Sequence, residues 1–259
     1  MLEQQLNTRL FDRIGRKVAL TEAGRALKPR AQEVLGLLND TRRALSNLSD
    51  NVQGRLSMAT SHHIGLHRLP PVLREFTRAY PDVALDIQFL DSEVAYEKVL
   101  HGEIELAVIT LAPEVEPPVV SELIWHDPLD LVIAPEHPLA HSSYVDLAQL
   151  AAYPAVFPGA NTFTHRIVSA LFEQHQITPH ISMSTNYMET IKMMVSIGLA
   201  WSVLPRSMLD DQVKALAIPG INMQRDLGCI WHSGRTRSNA ALALIQLLQR
   251  AGNINNKKA

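Results

Sequence analysis

The sequence runs to 259 residues with a net charge of −2, 46% hydrophobic and 19% charged residues, and a single cysteine. That length allows two domains and a sizeable core, and the composition is that of an ordinary soluble protein and excludes a disordered chain. One cysteine, Cys229 in the apolar stretch "GCIWH", excludes an internal disulfide and a cysteine-based metal cluster and is expected to be a buried, inert thiol; no apolar run approaches the ~18 residues of a membrane span and no charged-then-apolar leader opens the chain, so a cytoplasmic location is expected.

Charge is unevenly spread. Residues 1–55 hold 10 Lys and Arg against 6 Asp and Glu, whereas the rest hold 14 against 20. This predicts a basic end suited to a polyanion and an acidic body with another task. Leu2, Leu6 and Leu10 recur every fourth residue and predict one face of a short helix. "RLFDRIGRK" then gathers Arg9, Arg13, Arg16 and Lys17, and "LTEAG" places Thr21 to cap a new helix with Glu22 in its first turn.

From Thr21 to about Asn51 the pattern predicts one long helix, which Pro29 can kink. Leu27, Ala31, Val34, Leu38, Thr41, Leu45, Leu48 and Val52 follow one another in steps of four and three, the spacing of a coiled-coil seam. At ~1.5 Å per residue such a rod reaches roughly 45 Å. A stripe so narrow needs a partner, for which a second copy of the chain is the simplest candidate; the alternative, a helix packed on its own domain, usually shows a wider apolar face. Arg42 and Arg43 are assigned to the solvated side.

After Gly54 strands and helices alternate, which predicts α/β lobes with a parallel or mixed sheet covered on both faces. Strands are expected at 55–60, 83–90, 104–111, 129–135, 154–158, 180–185, 199–205, 213–220 and 223–232. Helices are expected at 67–80, 93–102, 164–176, 187–198 and 238–252, with a turn and a short helix in 136–150 and a polar, frayed tail from 253. The chain is expected to cross between two small lobes near 126–134 and again near 222–234.

Strand ends that run into helices are where open α/β folds bind ligands, and exposed helix-start N–H groups favour an anion. "ATSHHIG" puts Ser61, His62 and His63 at such a junction; "PGANTFTHR" offers Asn161, Thr162, Phe163 and Thr164, and "STNYME" offers Thr185 and Asn186. Thr110 ends a strand of the first lobe. The alternative for each is a plain helix cap. Hydroxyls and amides without an arginine clamp suit a neutral or weakly charged effector as well as an anion. His63 with His67, and His137 with His141, have i, i+4 spacing but lack the carboxylate of a zinc-hydrolase motif, so no metal is assigned. No nucleophile elbow, phosphate loop or dinucleotide fingerprint is present, so no enzyme activity is expected.

The stretch "LEQQLNTRLFDRIGRKVALTEAG", with the weaker pieces "LPPVLREFTRAYPDVALDI", "VLHGEIELAVIT", "PEHPLA" and "MVSIGLAWSVLP", resembles the LysR-type transcriptional regulators along nearly the whole chain. The resemblance implies an α/β protein made of a partial winged helix-turn-helix (1–20), a dimerising linker helix (21–53) and an effector-binding domain (54–259). That domain is expected to be shaped like a type 2 periplasmic binding protein, with lobe I about 54–126 and 235–259 and lobe II about 127–234. It also implies that the strand-end hydroxyls and amides face a cleft between the lobes. Arg9, Arg13, Arg16 and Lys17 are then expected on the DNA backbone, and Leu27, Val34, Leu38, Leu45 and Leu48 in the dimer seam. The implied partners are double-stranded DNA, a small-molecule effector, further copies of the chain in a dimer or tetramer, and RNA polymerase. No cofactor is implied. Against the family pattern the sequence starts within the recognition helix, whose front reads base edges; the expectation is a start placed on an internal methionine. A periplasmic solute receptor would not need the basic turn or the heptad rod, and a stand-alone coiled-coil module would leave the two lobes unexplained.

Overall fold

The computed structural model describes residues 2–15, 17–49 and 51–256, with the side chains of Ile14, Lys17 and 254–256 left aside. Helix α1 (Leu2–Gln5) is a single turn. Asn7, with a φ of 46°, ends it, so Leu10 leaves the expected helix face and is buried against the start of the next helix. Strands β1 (Phe11–Ile14) and β2 (Lys17–Leu20) form an antiparallel hairpin, Phe11 opposite Leu20. The Glu3 carboxylate fastens its base by accepting the Leu10 and Phe11 N–H groups.

Helix α2 (Glu22–Ser46) starts where expected: Thr21 caps it, its Oγ1 accepting the Gly24 N–H at 3.0 Å. Gly24 has to be glycine, since a Cβ there would lie 2.1 Å from the Leu10 carbonyl oxygen. The helix runs through Pro29 but stops five residues short of expectation, so Leu48 and Val52 lie beyond it. The reason is a tether. The Asn47 side chain donates to the Arg237 carbonyl at 2.8 Å and accepts the Asn239 N–H at 3.0 Å, which binds the end of α2 to the body.

The two sides of α2 differ in kind. Gly36 packs under the Arg235 guanidinium, Asp40 takes a hydrogen bond from Arg235 at 2.9 Å, and Gln32 donates to Glu103. Arg43 is not a solvating residue as expected: it lies half-buried between Asp40 and Glu105. Burial pushes the Asp40 carboxyl up, but the Arg235 and Arg43 hydrogen bonds outweigh it and hold it below its usual range. Two positions on, at ~100° per residue and so on the opposite side, Val34, Leu38 and Leu45 are 60%, 52% and 64% exposed.

The body starts with β3 (Gly54–Thr60), α3 (His62–His67), α4 (Leu69–Ala79), β4 (Val83–Phe89), α5 (Ser92–Leu100) and β5 (Leu106–Thr110). Then comes β6 (Val119–Ile133), followed by α6 (Leu147–Ala151), β7 (Ala155–Phe157), α7 (Phe163–Gln174), β8 (Ile181–Ser184), α8 (Met188–Ser196), β9 (Ser202–Pro205) and β10 (Lys214–Leu216). The chain returns through β11 (Met223–His232) into α9 (Asn239–Asn256). The large mixed sheet has the order β10-β6-β11-β5-β3-β4, with β9 also on β6; β7 and β8 pair separately. β3 lies parallel to β4 and β5, which needs crossover connections between them, and β11 is antiparallel to β5 and β6.

Two strands cross between the lobes. Ile124 and Trp125 of β6 pack in one core with Leu56, Phe76 and Leu244, while Leu129, Leu131 and Ile133 pack in another with Phe157, Phe172 and Trp201. β6 is longer than the expected 129–135 because its front half, "VVSELIWHDP", lacks the strict polar–apolar alternation by which a strand is read and ends in Pro128. On β11, Leu227 and Cys229 pack in the first core, within the stretch 222–234 where the chain is expected to cross back. The Cys229 thiol is free, and burial pushes it up to about 12, which keeps it protonated. α9 continues to Asn256, past the point where fraying was expected. Among the described residues no helix is long and apolar enough to cross a membrane.

Candidate functional site

The junctions singled out in the sequence converge on the cleft between the lobes. A cavity of about 400 Å³ there is walled by Ser61, His62 and His63 after β3, Thr110 at the end of β5, Thr162 and Thr164 at the start of α7, and Asn186 before α8. Ser61 makes no side-chain cap bond to α3, whereas Thr162 does cap α7: its Oγ1 accepts the His165 N–H at 3.1 Å and donates to the Gly159 carbonyl at 2.8 Å. His62 stands edge-on to Phe89 and Tyr187 at the rim.

Three expected residues do not line the cavity; one is Thr185, whose Oγ1 accepts the Tyr187 N–H at 3.4 Å. Asn161 is exposed outside it, and Phe163 is buried among Ala95, Val99 and Ile109 of the first lobe. Phe163 thus inserts from the second lobe into the first, because the helix start that presents Thr162 and Thr164 to the cleft turns the residue between them the other way. Asn186 is spent on the lobe contact: its Oδ1 accepts the Gly159 N–H at 2.8 Å and its Nδ2 donates to Asp91 at 2.7 Å. The Glu93 carboxylate, at the start of α5, accepts the Phe163 N–H across the cleft. Burial pushes the Glu93 carboxyl up, and that hydrogen bond opposes the rise.

The absence of an arginine clamp, expected from the sequence, is corrected by Arg225. It lies 3% exposed on β11 and lines the cavity. Its Nε donates to Asp127 at 2.9 Å and its Nη1 to Thr164 at 3.2 Å, while its buried Nη2 has no partner. Asp127 is its cross-strand partner on β6 and is fully buried, and its other oxygen accepts from Arg68 at 2.8 Å. One carboxylate therefore serves two guanidinium groups where both crossing strands pass between the lobes. A buried donor without a partner costs about 1–3 kcal/mol, which a ligand oxygen would recover. The signal for this was a lone arginine inside the apolar strand "MQRDLGCIWH"; its partner, 98 residues earlier, had no signal of its own. His63 is buried beside it, and burial, then the Arg225 charge, holds its ring down to about 3, so it is neutral.

Of the residues expected on DNA, Arg9 and Arg13 are exposed at the β1–β2 hairpin; Arg16 and the Lys17 side chain lie outside the described residues.

Residues 49–253 match the family described as the LysR substrate binding domain. An HTH-type transcriptional regulator of Azotobacter vinelandii, from the ibpB-leuC intergenic region, is 73% identical over 70 residues, covering 27% of this chain and 49% of that protein. The chain thus spans about half the length of that relative. The HTH-type transcriptional regulator YeiE of Escherichia coli (strain K12) is 32% identical over 244 residues, 92% of this chain and 81% of its own. Among solved structures, the effector binding domain of QuiR in complex with shikimate superposes with a TM-score of 0.71 at 21% identity, covering 78% of this chain and 99% of that one.

Proposed function

The chain belongs to the LysR family of transcriptional regulators, and from that premise we propose that its cleft takes a small organic or inorganic anion. The observation that carries this reading is Arg225, buried in the cavity wall with an unpartnered Nη2 and the Ser61, Thr110 and Thr164 side chains around the same space. The Arg225 charge is permanent and Asp127 is shared with Arg68, so these three groups together stay positive and Nη2 is free to meet an anion, while the Asp91 and Glu93 carboxylates on the same cavity wall limit how much negative charge the ligand can carry. The similar domain of QuiR holds shikimate, a carboxylate, which supports the same class of ligand.

The protein regulates transcription and is not an enzyme. Its regulatory step is a population shift: a ligand that bridges Arg225 to the α7 start favours the closed arrangement of the lobes. In this reading the exposed Val34, Leu38 and Leu45 stripe pairs with a second copy, as a dimer or within a tetramer. Lobe closure then changes how the paired α2 rods hold two DNA-binding ends. Arg9, Arg13, Arg16 and Lys17 contact phosphates, which supplies salt-sensitive affinity without reading bases. The assembly acts in the cytoplasm, alongside RNA polymerase.

Thermal-shift screening tests the cleft. Anions should raise the melting temperature of the chain, since a ligand at 100 times its Kd adds about 2.7 kcal/mol. Arg225→Met should abolish the shift for the same anions. A screen in which neutral compounds alone stabilise the protein would remove the reading.

A further inference from the structure

We propose that His63, His67 and Glu189 form a site for a divalent transition metal, zinc or a similar cation, that staples the first lobe to the second. His63 and His67 stand four residues apart on α3, on one face, with ring centroids 4.8 Å apart. Glu189 comes from the first turn of α8, in the other lobe, and its Oε1 lies 3.0 Å from His67 Nε2. One ligand atom from each of the three lies within 4.8 Å of the other two.

Unused ligand atoms distinguish this cluster from an ordinary ion pair. His63 is 5% exposed, yet neither of its ring nitrogens has a hydrogen-bond partner, and Glu189 Oε2 is also buried without one. Buried polar atoms are nearly always paired, so an orphan imidazole lone pair on His63 and an orphan carboxylate oxygen on Glu189 in one cluster mark a place for something that takes lone pairs. Two imidazoles and a carboxylate are a known zinc donor set, with ligands at about 2.0–2.2 Å from the ion and hence roughly 3.4 Å from one another. Closing the present spacing needs only side-chain rotation, for which His67, with its side chain 42% exposed, has room. Arg225 opposes a cation here, and Asp127 and the Glu189 carboxylate offset it.

Position gives the site its consequence. His63 is in the wall of the effector cavity, while His67 and Glu189 line a neighbouring groove with Lys192 and Asp210. A cation between them would sit in the partition, bound by both lobes, and would favour their closure whether or not an effector is present. The sequence showed the histidine pair but not its carboxylate, which lies 122 residues from His67 in the chain.

Equilibrium dialysis of the untagged 259-residue chain against micromolar zinc, followed by elemental analysis, tests this. One equivalent should be retained, and cobalt in its place should give a visible d–d absorption band. His67→Ala and Glu189→Ala should each weaken retention at least about 10-fold, since losing even a residue that supports a metal ligand costs that much. His137→Ala should leave it unchanged. His67 and Glu189 are partly exposed, so melting curves of the metal-free variants should match the parent and separate loss of the site from loss of the fold. Retention of no metal, or equal retention by His67→Ala and Glu189→Ala, would overturn the site. Neither result bears on the effector reading, because the dialysis contains no effector.

Discussion

Helices α2 and α9 are both long and both carry regular apolar residues, yet they treat them oppositely. In α9, Ala240, Ala241, Leu244, Ile245, Leu247 and Leu248 are all 6% exposed or less, packed on the first lobe. In α2, Val34, Leu38 and Leu45 are more than half exposed, and the helix is held to its own chain by Asp40, Arg43 and Asn47 instead. Apolar periodicity thus says that a helix has a partner but not which chain supplies it. Which side is polar decides the rest: α2 spends its polar stripe within the chain and leaves its apolar stripe free.

Charging that free stripe should have the largest effect. Leu38→Asp with Leu45→Asp would bury four carboxylates in a paired seam, several kcal/mol apiece. Light scattering should show a shift to monomer, while the circular dichroism of the lobes stays unchanged. An unaltered oligomer would place the seam elsewhere. The counterpart in α9 should fail in the opposite way. Leu244→Ala, at a fully buried position, should lower stability by about 2–5 kcal/mol, with the oligomeric state of the folded fraction preserved. If that substitution dissociated the oligomer instead, the contrast between the helices would be wrong.

The polar side of α2 can be loosened separately. Asp40→Ala leaves the half-buried Arg235 without its carboxylate and should cost about 1–3 kcal/mol. The loss should appear as faster amide exchange in α2 rather than in the lobes, because what it breaks is docking. Exchange that rises equally in α9 would mean that the two helices unfold as one unit.

Most elements of the body were legible in the sequence because they bury apolar residues at their own period, but α3 was read as the junction before a helix starting at 67. The front half of β6 was not: "SELIWHDP" pairs its polar residues across the sheet with β11 and reads as a loop. The cleft was legible as far as its helix starts, since capping residues announce themselves locally. Phe163 was misjudged because neighbours on a helix start point in different directions. Arg225, Asp127 and Arg68 escaped for a further reason. A buried charge network is made of residues that look like surface residues one at a time, and only the pairing of β6 with β11, together with the α3–α4 junction that carries Arg68, brings them together.

The smallest effect expected concerns Glu93, which joins the two lobes by accepting the Phe163 N–H. Burial pushes its carboxyl up, so the folded chain holds that proton more tightly than the unfolded one. The sign follows from linkage: the folded state binds more protons in that window, so this group's contribution to stability is fullest below the usual carboxylate range and falls as pH rises through the raised value. Glu93→Gln keeps an oxygen for the Phe163 N–H and removes the titration. The melting temperature of the parent minus that of Glu93→Gln should therefore decline between pH 4 and neutrality. A difference that grows with pH would mean that the hydrogen bond, rather than desolvation, governs this carboxylate. The same substitution removes a negative charge from the cavity wall, so anions that depend on Arg225 should bind Glu93→Gln more tightly than the parent, and neutral compounds should not distinguish the two.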